Sequence, residues 1–468
     1  MRSRRDQLQA YQFLRRRIVA ALLSGEPDSP EAPMRRIVRT AFAGVMIAVM
    51  IGATFGIIGV IRKGGATSWQ TTDTIVIDKD SAAIYVWVAP NREGPRQLHP
   101  MVNLTSARLF LGADRKKSLS GKSLAGIPRA ALKGIREAPQ SVPAPKELIG
   151  GPWTVCARTR GAEPEVTVLA GVAQPGTPLG SEAGVLVTSS AGQDQFVVWK
   201  GKRFNIPDPK VLAALGFTSL NPQVVGAAWV NALPQGTDLT FPAVANRGQF
   251  FGNVGGQPAN VGQVFRVASA GADQYAVALD TGLANGGKGL AAISEGVAGL
   301  LLADPAGGAL NRERELSSSA FTEAAKVEAP ADWARYPAQR LQPATSTILC
   351  TGVSGSSGAD DPLAAYAVNG LPGGAQVVDL RNQDSGGRAL ADQAYLRAGA
   401  AALVRGHGTN KTLFLITDTG KKFPIGDEQA LAALGLATAR VAMVPPEFLG
   451  LLPDGPALSR EAAAKVVT

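Results

Sequence analysis

The chain has 468 residues, enough for two to four domains, with 45% hydrophobic and only 18% charged side chains. Its 54 Gly and 31 Pro imply many turns but stay below the level of a disordered chain. The net charge of +10 is concentrated at one end: residues 1–65 carry 11 Lys/Arg against 4 Asp/Glu, while the other 403 carry 36 against 33. That distribution excludes a broad basic face, and with it a nucleic-acid partner, for most of the chain.

The first predicted element is a short helix over residues 7–23. Leu8, Tyr11, Leu14, Ile18 and Leu22 recur at steps of three and four, with Arg15, Arg16 and Arg17 towards its C-terminal end. Such a helix either lies on an anionic inner leaflet or docks onto a cytosolic partner. The stretch GEPDSPEAP (25–33) breaks it and reads as a linker.

Residues 40–61 contain no charge. At about 1.5 Å per residue they span about 33 Å, against a hydrocarbon core of about 30 Å. The run is apolar all round, unlike the striped helix of a soluble core. Arg35, Arg36 and Arg39 precede it closely, with six more arginines upstream, and only Arg62 and Lys63 follow closely. This bias predicts a single-pass anchor with a cytoplasmic N-terminus and an extracytoplasmic C-terminal portion. The basic head and the apolar run are both too long for a cleaved signal peptide. Trp69 is a candidate marker of the outer interface.

Self-comparison shows internal repeats. Residues 200–239 laid over 419–458 agree at 15 of 40 positions without a gap. Gly201, Phe204, Ile206, Asp208 and the run LAALG (212–216) match Gly420, Phe423, Ile425, Asp427 and LAALG (431–435). Asp208 and Asp427 suit helix N-caps, and Gly216 and Gly435 suit the left-handed position after the helix. The strand-like runs 195–199 and 413–417 precede them. A third copy starts at Val264, with its helix near 295–302, and a weaker one covers 75–112, with its helix at 103–111. Each is read as a ββα unit. Gly150–Pro178 and roughly 332–382 differ in character and read as one central module made from distant segments.

The two cysteines, Cys156 and Cys350, lie in that module. An oxidising location favours a disulfide between them, closing a loop of about 195 residues; two buried thiols are the alternative. Trp153 is a candidate to pack on the sulfurs. With His99 and His407 as its only histidines, the chain offers no metal site.

Catalytic motifs are near misses. GLANGGKG (282–289) places Gly282, Gly287 and Lys288 as in a phosphate-binding loop, but Gly289 stands where a Mg²⁺-binding Ser/Thr belongs. Gly121, Lys122 and Ser123 have the right ending, but Lys116 occupies the first glycine position. Gly352, Val353, Ser354, Gly355 and Ser356 resemble a nucleophile elbow without its final glycine. His99 and His407 read as loop and turn residues. No catalytic residue, metal ligand or cofactor is assigned.

Several stretches in order resemble the EccB family of actinobacterial type VII (ESX) secretion: YQFLRR (11–16), NLTSARLFLG (103–112), WTVC (153–156), WKGKR (199–203) and LLPDGPALS (451–459). The resemblance covers nearly the whole chain. It implies an α+β fold with one N-terminal transmembrane helix and a periplasmic domain of four repeats around a disulfide-bridged core. The corresponding division is cytoplasmic segment 1–39, membrane helix 40–61, repeats at 72–135, 183–240, 262–306 and 399–458, core segments 137–182 and 307–398, and tail 459–468. It implies a structural and assembly subunit of an inner-membrane complex exporting WXG100-type proteins. The implied partners are an EccC-type FtsK/SpoIIIE-like ATPase, EccD, EccE, a mycosin protease, the lipid bilayer and further copies of the chain. Family members are often catalogued as ATPases, which no complete motif here supports. A nucleotide hydrolase and an anchored cell-wall-binding protein are the competing readings.

Overall fold

A computed structural model describes residues 4–25, 33–61, 68–89, 94–160, 163–172, 177–190, 194–218, 220–268, 271, 273–282, 287–353, 364–368, 377–382, 386–408 and 411–467. They form two units. One comprises Met1–Thr72, Val76–Ala83 and Lys117–Pro128; the other comprises Asp73–Ile75, Ile84–Lys116 and Arg129–Thr468.

The first unit contains helix α1 (Arg4–Ser24) and helix α2 (Pro33–Ile61). Within α2 the window Ile37–Ile57 is long and apolar enough to cross a membrane, and none of it is buried. Its hydroxyls are satisfied inside the helix: Thr40 Oγ1 donates to the Ile37 carbonyl at 2.9 Å and Thr54 Oγ1 to that of Met50 at 2.7 Å. That internal satisfaction is what a hydrocarbon surrounding demands. Linker residues 26–32, and Arg62 and Lys63, lie outside the described residues. Trp69, in the turn Ser68–Thr71, is fully buried. Its indole packs inside protein, so it is not the interfacial marker that its position after the span suggested.

The second unit holds the repeats. The first contributes the hairpin Ile84–Val88 and Gln97–Met101 and helix α3 (Leu104–Leu111). Asn103 caps α3 by accepting from the Ser106 N–H at 2.8 Å, and Gly112 ends it with φ +77.

The second repeat is complete in this unit. Ala183–Ser189, Gln195–Trp199 and Lys202–Asn205 form an antiparallel meander. Helix α4 (Pro209–Leu215) follows, Gln223–Val225 returns parallel to the first strand, and helix α5 (Ala227–Ala232) closes the unit. The third has the same order: Val264–Val267, Gln274–Asp280, Lys288–Ile293, helix α6 (Glu295–Ala303), parallel strand Arg314–Leu316 and helix α7 (Ser318–Glu323). So has the fourth: Ala401–Gly406, Leu413–Thr417, Lys422–Pro424, helix α8 (Glu428–Ala433), parallel strand Ala442–Val444 and helix α9 (Pro446–Gly450). The ββα pattern is thus the middle of a larger unit. The parallel strand was invisible in sequence because it is three residues long and pairs with a strand 36 to 49 residues earlier.

The caps read from the repeats are in place. Asp208 accepts from the Lys210 N–H at 2.8 Å and Asp427 from that of Ala430 at 2.6 Å, while Gly216 and Gly435 have φ +105 and +77.

The central module is a seven-stranded sheet in the order Val378–Asp379, Gln393–Tyr395, Glu163–Ala170, Trp153–Arg160, Ile348–Val353, Ala364–Val368 and Thr177–Pro178. Cys156 stands directly opposite Cys350 on neighbouring antiparallel strands, and the two are disulfide-bonded with Cα atoms 4.0 Å apart. Leu169, Ile348 and Tyr395 surround the bridge. Trp153 does not: it belongs to the cluster on the other face, with Val155 and Ala157. The reason is the period of two along a strand, which puts residues three apart on opposite faces.

Three apolar clusters tie the second unit together. One joins the second and third repeats through Leu212, Leu215, Leu300 and Leu301. A second joins the first and fourth through Leu109, Phe423, Leu434 and Leu458. The third buries the central sheet against the second and fourth repeats. Equivalent residues, 219 positions apart, enter it in pairs: Val225 and Val444, Trp229 and Phe448, Leu233 and Leu452.

The C-terminal segment returns to the first repeat. Ser459 caps helix α10 (Arg460–Ala464), which packs on α3. The Gly134 N–H then donates to the Lys465 carbonyl at 3.2 Å, and the Val467 N–H to that of Leu132 at 2.9 Å.

Candidate functional site

The near-miss phosphate loop runs into a strand. Gly282 has φ +71, and residues 283–286 lie outside the described residues. Lys288 opens the strand Lys288–Ile293 rather than a helix. A phosphate loop needs a helix there, because its first N–H groups point at the anion. The Lys288 ammonium donates to the Phe250 carbonyl at 2.9 Å and lies 3.8 Å from Asp280. Gly289 has a packing role: a Cβ there would come 2.9 Å from the Ala325 carbonyl.

At Gly121, Lys122 and Ser123 the chain makes a one-turn element, Gly121–Leu124, with Lys122 exposed and Leu124 buried. The Gly121 N–H donates to the Asp80 carboxylate at 2.9 Å, with Asp78 alongside. An internal anion already holds the position that a phosphate would take. Gly352 and Val353 lie in the strand Ile348–Val353, and Ser354, Gly355 and Ser356 lie outside the described residues.

His407 follows the strand Ala401–Gly406 in a bend, as expected. His99 differs from expectation. It is a strand residue paired with Val86, 3% exposed, with its ring 5.4 Å from that of Phe110. Among the described residues neither ring nitrogen has a hydrogen-bond partner, and burial together with the Lys133 charge holds its pKa below the ordinary value. Pro100 next to it suggests a loop in sequence, but the strand lies at the edge of its sheet, where proline is tolerated.

Charged side chains concentrate along a groove of about 450 Å³ lined by Ile135, Arg136, Glu137, Lys421, Pro453, Asp454 and Pro456. Beside it Lys422 is buried, donating to the Leu452 carbonyl at 2.5 Å and pairing with Asp454 at 2.8 Å. Burial pushes its pKa down, against the pull of Asp454. Burial works to raise Asp454, but Lys422 and Arg388 outweigh it and hold the carboxyl below its usual range. Arg388 lies 2.5 Å from Asp454, and Lys421 pairs with Glu137 at 3.3 Å. These charges compensate one another. Among the described residues no three His, Cys, Asp or Glu are grouped to hold a metal.

Sequence reasoning missed the residues that lock the modules together. The Trp229 indole N–H donates to the Val155 carbonyl at 3.2 Å, bolting the second repeat to the central sheet. Arg108 is buried on α3, binds Asp114 through two bonds and reaches the carbonyls of Val142 and Leu434. Trp229 was findable: it faces Phe448 at the repeat offset, and matched aromatics imply matched pockets.

The chain matches a family described as type VII secretion system ESX-1, transport TM domain B, over residues 2–467. The chain belongs to the EccB family. Among similar EccB proteins, the ESX-3 secretion system ATPase EccB3 of Mycolicibacterium smegmatis is 29% identical over 97% of this chain and 89% of its own length. The ESX-2 secretion system ATPase EccB2 of Mycobacterium tuberculosis is 31% identical over 98% and 94%. Among solved structures, an intact ESX-5 inner membrane complex contains a chain matching all of this one and 96% of its own length, with TM-score 0.69 and 28% identity. An EccB3 dimer from the ESX-3 core complex matches 84% of this chain and 100% of its own, with TM-score 0.68 and 27% identity. Within this EccB framework the α+β fold, the N-terminal apolar helix and the Cys156–Cys350 bond all agree with the sequence reading. The relatives are named as ATPases; in this EccB chain Lys288, the closest approach to a nucleotide motif, is a strand residue tied to a backbone carbonyl.

Proposed function

We propose that this chain is a structural and assembly subunit of a type VII secretion inner-membrane complex, supporting export of WXG100-type proteins. The observation that carries this is the full-length likeness to a chain of the ESX-5 inner membrane complex. A single apolar helix anchors it, and arginine bias orients it with the N-terminus cytoplasmic and the repeats on the periplasmic face. Its partners are an EccC-type FtsK/SpoIIIE-like ATPase, EccD, EccE and a mycosin protease, and the chain is itself present in several copies. The dimer solved for a relative supports the last point. The proposed division is four repeats, a two-segment core and a C-terminal tail, with the third repeat carried on from 306 to Glu323 so that it takes in its parallel strand and helix α7. No residue is assigned to catalysis, cofactor or metal.

Gentle detergent extraction of the tagged full-length protein, with native electrophoresis and mass spectrometry, tests the proposal. The expected outcome is a very large complex containing an FtsK-like ATPase and a polytopic partner. A lone monomer or dimer, under conditions that preserve other membrane complexes, overturns it.

A further inference from the structure

Helix α1 carries an apolar face that no part of the described protein covers. Leu8, Tyr11, Leu14, Ile18 and Leu22 are 52–81% exposed. At 3.6 residues per turn they fall within an arc of about 120°. Gln9, Gln12 and Arg16 occupy the opposite side. Phe13 also lies there, with the Arg17 guanidinium 5.8 Å from its ring centroid. Arg15 falls near one edge of the apolar arc and Arg4 inside it, where long stems let their charges reach the polar zone. Five arginines and one aspartate make the helix strongly cationic.

Length decides what lies within reach. Residues 25–32 join α1 to the membrane helix, and eight residues extend at most about 29 Å. So α1 is held beside the bilayer surface at high effective concentration. A cationic helix with one apolar face fits the boundary between anionic headgroups and acyl chains.

We propose that α1 lies in the plane of the membrane as an in-plane arm, its Leu8–Leu14–Ile18–Leu22 face in the acyl boundary and its arginines on anionic lipid. The orientation proposed above enters only in naming the cytoplasmic leaflet. The arm fixes the rotation and depth at which α2 enters the bilayer, which one straight span does not do alone.

The test uses the full-length protein in lipid nanodiscs, of phosphatidylcholine alone or with phosphatidylglycerol. Both native cysteines are in the disulfide, so Leu14→Cys, Ile18→Cys and Gln9→Cys each accept a single polarity-sensitive fluorophore. The expected result is a blue shift and quenching by acyl-chain quenchers at positions 14 and 18, and neither at 9. The shift should shrink without phosphatidylglycerol and in high salt, and be lost in the surface variant Arg15→Glu/Arg16→Glu. Equal water exposure at 14 and 9 in anionic nanodiscs overturns the proposal. So does a label at 14 that is dry only after the whole complex assembles, which would assign the face to a protein groove. Nanodiscs expose both leaflets, so a reversed orientation would leave this result intact while removing the sidedness of the proposed function.

Discussion

Phe204 and Gly236 interlock: the Phe204 ring occupies the space that a Cβ on residue 236 would need. The Gly236 N–H donates to the Arg203 carbonyl at 2.8 Å, so the backbone is pinned where the ring lies. Phe423 and Gly455, 219 residues on, repeat both contacts, with Gly455 donating to Lys422. Gly236→Ala and Gly455→Ala should each destabilise the second unit by about 1–3 kcal/mol through overpacking. Denaturant unfolding of the detergent-solubilised protein, followed by tryptophan fluorescence, measures this. Adding Phe204→Leu to Gly236→Ala should recover part of the loss; no recovery would mean that the ring is not the obstacle.

His99 makes stability depend on pH. Burial and Lys133 lower its folded pKa below 6.5, while the unfolded chain keeps the ordinary value. The stability it contributes is therefore complete above pH 6.5 and is lost as pH falls through the folded value. His99→Phe, which keeps an apolar ring beside Phe110, should flatten this part of the profile. Thermal melts of both proteins at pH 8 and at mildly acid pH compare the slopes; parallel slopes would exclude His99 as the source.

Lys422 is a buried ammonium whose carboxylate partner is half exposed. Asp454→Ala should cost about 1–2 kcal/mol, less than a fully buried pair, because solvent reaches Asp454. Lys422→Met, which removes the charge and keeps the stem, should cost less than Asp454→Ala. The reverse order in chemical denaturation would show that the charge itself is stabilising.

The Cys156–Cys350 bond links strands separated by 194 residues. Paired Cys156→Ser/Cys350→Ser substitution should lower stability by about 2–5 kcal/mol. An unchanged midpoint of unfolding, compared between the variant and the oxidised protein, would show that the sheet holds itself.

Lys288→Ala should leave nucleotide hydrolysis by the purified membrane complex unchanged, since its ammonium serves a backbone carbonyl. A several-fold loss of turnover on this substitution alone would restore Lys288 as a catalytic candidate.

Local features were legible in sequence, and long-range partnerships were not. The apolar span, the aspartate caps and the glycine stops are written in a few adjacent residues, and the repeat offset makes them visible twice. Trp153 could have been placed correctly from the strand period alone, because an odd spacing from Cys156 excludes a shared face. His99 was obscured by its neighbour Pro100. The pairing of the second repeat with the third, and of the first with the fourth, had no local signature. It depends on which apolar faces meet after folding, as Leu212 with Leu300 and Leu109 with Leu434.

The return of α10 to α3 makes the first repeat wait for a late partner. A ribosome makes α3 about 350 residues before α10, so the part of α3 that meets Arg460–Ala464 stays uncovered until α10 follows. A product that stops short of α10 leaves that surface open to chaperones and proteases.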